Sequence, residues 1–324
     1  MAQISNAFDT YEAAGLREDL TDVIYDISPT ETPFMSNIAR IRAKAKIHEW
    51  QTDTLATAAA NAQLEGNTIS ATATVATNRL KSPTQIAYKS FAVTGTTEAV
   101  DKAGRASEVS YQTAKLGKEL KRDMEVDLTG NVGTDLGSAT SARTFPGAES
   151  WIASNGTELG TAGTTIGYAT GTGITAAPTD SSAVTSIVES RLKQAIQQAW
   201  SAGGDPNVIM CGPVSKQSIS GFSGIGTLYQ DVTRGGTDSQ ATIIGGADLY
   251  ISDFGRHTIV PNRFSRDRTV LILDMSMWAV AFLRPMHTFD LAKRGDADEK
   301  VLLTEYTLES RNEAASAKVA NVGV

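Results

Sequence analysis

Cysteine is almost missing from this chain. Cys211 stands alone in 324 residues, so no disulfide can close within it and no zinc knuckle can be built. A thiol-only chain suits a reducing cytoplasm better than secretion. Histidine is nearly as scarce. His48, His257 and His287 sit in no metal-ligating spacing such as His-Glu-x-x-His, and we read them as ordinary strand residues, with no metal or other cofactor expected. The opening Met1-Ala2-Gln3-Ile4-Ser5-Asn6 has neither the positive flank nor the apolar run of a signal peptide. The most apolar stretch, 270–283, is interrupted by Asp274 and is too short and polar to span a bilayer, so no membrane partner is expected. Clustered charge is lacking as well. The 29 basic and 36 acidic residues leave a formal net charge of −7 without a block of one sign, whereas tight grip on nucleic acid needs clustered Lys and Arg.

Catalytic patterns are equally thin. The acidic residues are spread along helices and turns, and no pair is spaced for general acid and base roles. Gly221-Phe222-Ser223-Gly224-Ile225-Gly226 looks like a phosphate loop, but no Gly-Lys-Ser/Thr follows it and it comes after a helix. It reads as a surface loop. Cys211 falls in a short apolar strand and reads as a small core residue, not a nucleophile. We expect no enzyme.

What is present is enough apolar material, 41% of residues, for one large or two closely packed domains. Residues 1–46 read as an arm. A short amphipathic piece around 11–20 precedes Asp26-Ile27-Ser28-Pro29-Thr30-Glu31-Thr32-Pro33-Phe34, whose two prolines block a helix and push the residues before them into extended geometry. The arm then turns basic at Arg40, Arg42, Lys44 and Lys46. A solvated strand edge accounts for these cations; contact with DNA or an acidic neighbour is the other reading.

Residues 47–93 are the most informative. Between 51 and 85 the chain is dominated by Ala and Thr, with Leu55, Leu64, Ile69, Val75 and Leu80 as its large apolar residues. Thr alternation over 68–77 favours strand, and Glu65-Gly66-Asn67 looks like the turn at the tip of a long hairpin. An isolated two-stranded ribbon buries too little to offset a backbone entropy of roughly 1–2 kcal/mol per ordered residue. Such a ribbon either stays mobile or lies on another surface, and we expect a neighbouring copy to supply that surface.

A long helix is expected over 97–128, with Ala106, Ser110, Ala114, Gly117, Leu120, Met124 and Leu128 as a narrow buried stripe and Lys118, Lys121, Arg122 and Asp123 on other faces. Gly104 and Gly117 inside it suggest close approach of another backbone. Residues 131–182 shift to Gly, Ser, Thr and Ala and read as an irregular insertion anchored by Trp151, Ile152, Ile166 and Tyr168. A second helix starts from a cap at Asp180 or Ser181 and ends at Gly203-Gly204; a strand at 207–211 and a helix opened by Pro213 follow. From 241 the period becomes two. Strands are expected at 241–244, 248–252, 257–260, 269–273, 278–283, 288–293 and 299–309, in a mixed α+β fold of predominantly antiparallel strands.

This order of arm, two-stranded extension, long helix, mixed domain and returning strands resembles the tailed-bacteriophage major capsid proteins of the Hong Kong 97 type. Two motifs are similar to one subfamily of phage head proteins: Asp22-Val23-Ile24-Tyr25-Asp26-Ile27-Ser28-Pro29-Thr30-Glu31-Thr32-Pro33-Phe34, and the closing Glu305-Tyr306-Thr307-Leu308-Glu309-Ser310-Arg311-Asn312-Glu313-Ala314-Ala315. The resemblance implies an N-terminal arm at 1–46 and an extended loop at 47–93. It implies a peripheral domain with the spine helix and insertion at 94–182, an axial domain at 183–275, and returning peripheral strands with the C-terminus at 276–324. It implies self-assembly into pentamers and hexamers of an icosahedral head enclosing double-stranded DNA that is contacted non-specifically. A portal protein, decoration proteins and, because the arm motif begins near Met1, a separate scaffolding protein are the further partners. The location implied is the virion, after synthesis in the host cytoplasm. On this reading the subunit interface runs through Leu55, Leu64, Ile69, Val75 and Leu80 of the ribbon and Pro29, Pro33 and Phe34 of the arm. The alternatives are the shell of an encapsulin-like compartment and, from another class, a β-rich enzyme or adhesin.

Overall fold

Two sheets share one apolar core in the computed structural model, which describes residues 28–68, 71, 74–158, 175–222 and 247–323. The piece at 11–20, Ile69, Ile166, Tyr168, Ser223 to Gly226 and the strand expected at 241–244 lie outside the described residues. Along the first half run α1 (Pro33–Asn37), β1 (Ala39–Arg42), β2 (Ile47–Thr52), β3 (Asn78–Pro83), β4 (Gln85–Thr94), α2 (Gly95–Ala99), α3 (Glu108–Thr129), α4 (Ala148–Trp151) and β5 (Gly156–Glu158). The second half carries α5 (Glu189–Ser201), β6 (Val208–Cys211), α6 (Pro213–Ser220), β7 (Leu249–Ser252), β8 (Gly255–Pro261), β9 (Thr269–Leu273), β10 (Trp278–Asp290), β11 (Ala297–Ser310) and β12 (Ala317–Ala320).

One sheet has the order β1-β10-β11-β4, and α3 lies along it. Ser107 caps that helix by accepting the Ser110 N–H at 3.3 Å. Leu116, Leu120, Met124 and Leu128, four apart, form its buried stripe, and Leu116 and Leu120 meet Leu302 of β11. The second sheet has the order β5-β12-β9-β6-β8-β7. Its central strands are buried on both faces: Met210, Leu271 and Leu273 point into the core shared with the first sheet, while Ile209, Cys211, Val270 and Ile272 point toward α5 and α6.

Several expectations hold. β6, α6 and β9 fall where the sequence places them, with Pro213 at the first turn of α6. After α5, Gly204 N–H reaches Ala199 O and Gly203 N–H reaches Trp200 O, a Schellman closure.

Other expectations are corrected. The helix expected over 97–128 is two helices, because Gly104 takes φ +76° between them, a conformation no continuing helix allows. Gly117 marks no close backbone: a Cβ there would meet only the Leu302 side chain, at 3.9 Å. Neither Asp180 nor Ser181 caps α5, which starts at Glu189; the β-branched run Val184, Thr185, Ile187 and Val188 stays extended, and Thr185 bridges Val322. Pro33 opens the single turn of α1, where its missing N–H is no loss. The two strands expected at 278–283 and 288–293 are one, β10, whose register shifts around Pro285. A final strand that the sequence reading did not include, β12, pairs with β9 in the other sheet.

Candidate assembly interface

The closing motif does its structural work by alternation. On one face of β11, Tyr306 hydroxyl donates to Asp127 of α3 at 2.8 Å, and Leu308 enters the core. On the other face, three polar residues hold the base of the hairpin made by β2 and β3. Glu305 accepts from Thr84, Arg143 and Arg284, each at 2.8 Å; Thr307 meets Ser82 at 2.7 Å; Glu309 meets His48 at 2.5 Å. Trp50 Nε1–H adds a bond to Ser310 O at 2.8 Å, and its ring lies 5.5 Å from Trp151. Burial alone would raise the Glu309 carboxyl, but His48 and Arg311 hold it below its ordinary value.

Beyond that base the hairpin has no cover. Leu55 is 99% exposed, Leu64 83% and Val75 89%, while Leu80 inside the base is 3% exposed. The turn forms as the sequence predicts, with Asn67 N–H on Leu64 O at 3.1 Å and Gly66 at φ +79°. The strand expected over 68–77 does not form among its described residues: β2 and β3 pair only over 47–52 and 78–83. Thr alternation supplies a face, but a strand needs a ladder partner and a surface beneath it.

The first sheet leaves a second surface open. α3 covers the face carrying Ala87, Phe91, Met286 and Leu302. On the opposite face Tyr88 stands across from Leu303, itself across from His287, and Ser90, Val301 and Phe289 form the next row. Ile86, Tyr88, Phe289 and Leu291 are exposed there, and the His287 and Phe289 rings stack at 6.0 Å. A third apolar patch lies at the β7 edge of the other sheet, where Leu249 and Ile251 point outward, and Trp200 packs on Phe254 at 5.0 Å while remaining exposed.

Of the expected interface residues, Leu55, Leu64 and Val75 are displayed to solvent, Pro29 and Pro33 are half-buried, and Ile69 lies outside the described residues. Phe34 and Leu80 require correction. Phe34 has no exposed surface and packs 6.2 Å from the Trp278 ring, so both residues serve their own subunit's core. The row around Tyr88 escaped the sequence reading, although β4 shows apolar residues at both parities, the mark of a two-faced strand.

All three histidines lie in strands. Buried His257 donates from Nδ1 to Pro206 O at 2.6 Å and accepts the Ser252 hydroxyl at 2.7 Å, and burial holds its pKa below the usual value. Cys211 is buried, with its thiol pushed up to about 11. Among the described residues no group of three or more His, Cys, Asp or Glu could hold a metal, and no helix is long and apolar enough to cross a membrane.

The described residues thus combine a sheet backed by a long helix, a hairpin exposed beyond its base and two open apolar faces. Solved capsids share the architecture. The capsid asymmetric unit of cyanophage A-1(L) superposes with TM-score 0.68 over 97% of this chain and 98% of that one, at 13% identity. The capsid of a native GTA particle computed with C5 symmetry gives 0.63 over 97% and 98%, at 10% identity. The fold is thus that of the Hong Kong 97-type phage capsid subunits. The major capsid protein of Escherichia phage Phieco32 is 26% identical over 347 residues, 95% of each chain. The family model described as SU10 major capsid protein matches residues 3–323, and the chain belongs to that family. It is a structural component of a phage virion.

Proposed function

We propose that the chain assembles into pentamers and hexamers of an icosahedral head around double-stranded DNA, and that its uncovered hairpin is completed by the next subunit. Residues 1–46 serve as the arm, 47–93 as the extended loop, 94–182 as the peripheral region with the spine helix, 183–275 as the axial region, and 276–324 as the returning peripheral strands and the C-terminus. In this reading Leu55, Leu64 and Val75 of one copy lie on the open row of Ile86, Tyr88 and Phe289 in another. The patch of Leu249, Ile251 and Trp200 supplies contacts around the symmetry axes. A separate scaffolding protein, a portal and decoration proteins complete the partner set, and the subunit is made in the host cytoplasm.

The observation that carries this reading is the pairing of a tightly held hairpin base with a bare tip. A closed shell repeats each contact many times, so a modest buried area per subunit suffices. Replacing residues 54–76 with a short turn should leave a folded subunit, by circular dichroism and thermal unfolding, that forms no stable shells under electron microscopy. Shells of normal size and stability would remove the tip from the interface.

A further inference from the structure

We propose that the solvent-facing side of α3 is the surface that touches the packaged double-stranded DNA, with Lys115, Lys118, Lys121 and Arg122 as phosphate-binding side chains. This rests on the reading of the chain as a subunit of a DNA-enclosing shell. Helical steps of three and four place Lys115, Lys118 and Arg122 in one line with Lys121 beside it, about 10 Å of helix from end to end. The three lysines are exposed, and the Arg122 guanidinium lies 5.4 Å from the Phe264 ring centroid, next to exposed Arg263.

Their charge is not neutralised at home. Among the described residues none of the four pairs with a carboxylate, whereas the nearby cations are matched: Lys102 with Glu98, Arg105 with Glu108, and Lys89 with Asp123. Asp123, the acid adjoining Arg122, is thus drawn away at 2.8 Å, and Glu119 is the acid that remains within 115–122. Four cations against one carboxylate leave a local charge of +3 on a chain whose total is −7.

The chemistry selects a polyanion over a protein. Protein interfaces are depleted in lysine and centred on large apolar side chains, and the residues exposed within 115–122 are all lysines. Lysine offers point charges that reach phosphates without reading bases, which suits a container indifferent to sequence. Placement agrees. The stripe and the row around Tyr88 lie on opposite sides of the helix–sheet layer, so one side can receive a neighbour's loop while the other faces the lumen.

The test is the salt dependence of binding by the full-length subunit to a random-sequence 30-base-pair duplex, followed by fluorescence anisotropy. With about four phosphates engaged, affinity should fall on the order of 100-fold between 50 and 200 mM salt. The K115Q/K118Q/K121Q/R122Q variant should lose about one unit of log–log slope per cation removed. An unchanged slope overturns the proposal, as does tighter wild-type binding to polyglutamate than to the duplex, which would mark an acidic protein partner. A Lys118→Cys variant reports orientation, because native Cys211 is buried, with its thiol pushed up to about 11. A maleimide on a polymer too large to enter closed heads should label dissociated subunits and spare intact particles. Labelling of intact particles overturns the lumenal contact and leaves the shell reading standing. Wild-type protein that forms no particles even when co-expressed with its scaffolding protein overturns the shell reading, and this proposal with it.

Discussion

Buried carboxylates do much of the joining in this subunit. Glu125 of α3 accepts the Phe34 and Met35 N–H groups at 2.6 and 2.9 Å and the Asn262 amide at 2.8 Å, tying arm, helix and the loop after β8 together. Burial pushes its carboxyl above the ordinary range although all three donors favour the charge. A carboxyl raised in the folded state binds its proton more readily there, so the subunit gains stability as pH falls through that value. Glu125→Gln turns an amide group toward a backbone donor. A loss of about 1–3 kcal/mol at pH 7 is expected in denaturant unfolding, together with loss of the gain on mild acidification. Glu309 has the opposite sign. Its lowered value means that its contribution is present above the ordinary glutamate pKa of 4.5 and is lost as pH falls below it. Acidification should therefore lower the amide protection factors over 47–52, each taken relative to intrinsic exchange at the same pH, before the sheets open, and His48→Leu should do so already at pH 7. Phe34→Ala should cost about 3–5 kcal/mol of subunit stability, as expected of a core residue and not of an interface one.

At the scale of elements, chemistry local to each segment decides what can be read in advance. Pro213 at a helix start, Gly203-Gly204 at a helix end and the apolar run of β9 act through their own backbone and side chains, and each fell where expected. α5 began later than its cap suggested because β-branched residues resisted helix and Thr185 found a partner at Val322, more than a hundred residues away. β1, β5 and β12 are short edge or bridging strands whose pairings come from distant chain, and no pattern within them announces it. The hairpin tip is the limiting case. Residues 53–68 and 74–77 should exchange their amides rapidly in the dissociated subunit and become protected at least 100-fold in particles, read by hydrogen exchange. Equal rates in both states would mean that no neighbour covers them.

The whole molecule shows a stable interior and an unfinished exterior. Trp200 is half exposed at the β7 patch and packs on Phe254, so Trp200→Asp should cost about 1–3 kcal/mol of subunit stability while leaving the fold intact, and shift the sedimentation profile from particles toward small oligomers. Composition and period were enough to read an α+β chain, a turn at Glu65-Gly66-Asn67 and an apolar-poor extension, because helix stripes, turn residues and apolar scarcity are properties of neighbours in the chain; the capsid reading came from the resemblance of element order and of the motifs at 22–34 and 305–315. Whether Phe34 and Leu80 face inward, which side of β4 lies bare, and which cations on α3 go unmatched depend on residues far away in sequence. Burial and ion pairing are settled by contacts across the fold, and one-dimensional spacing does not contain them.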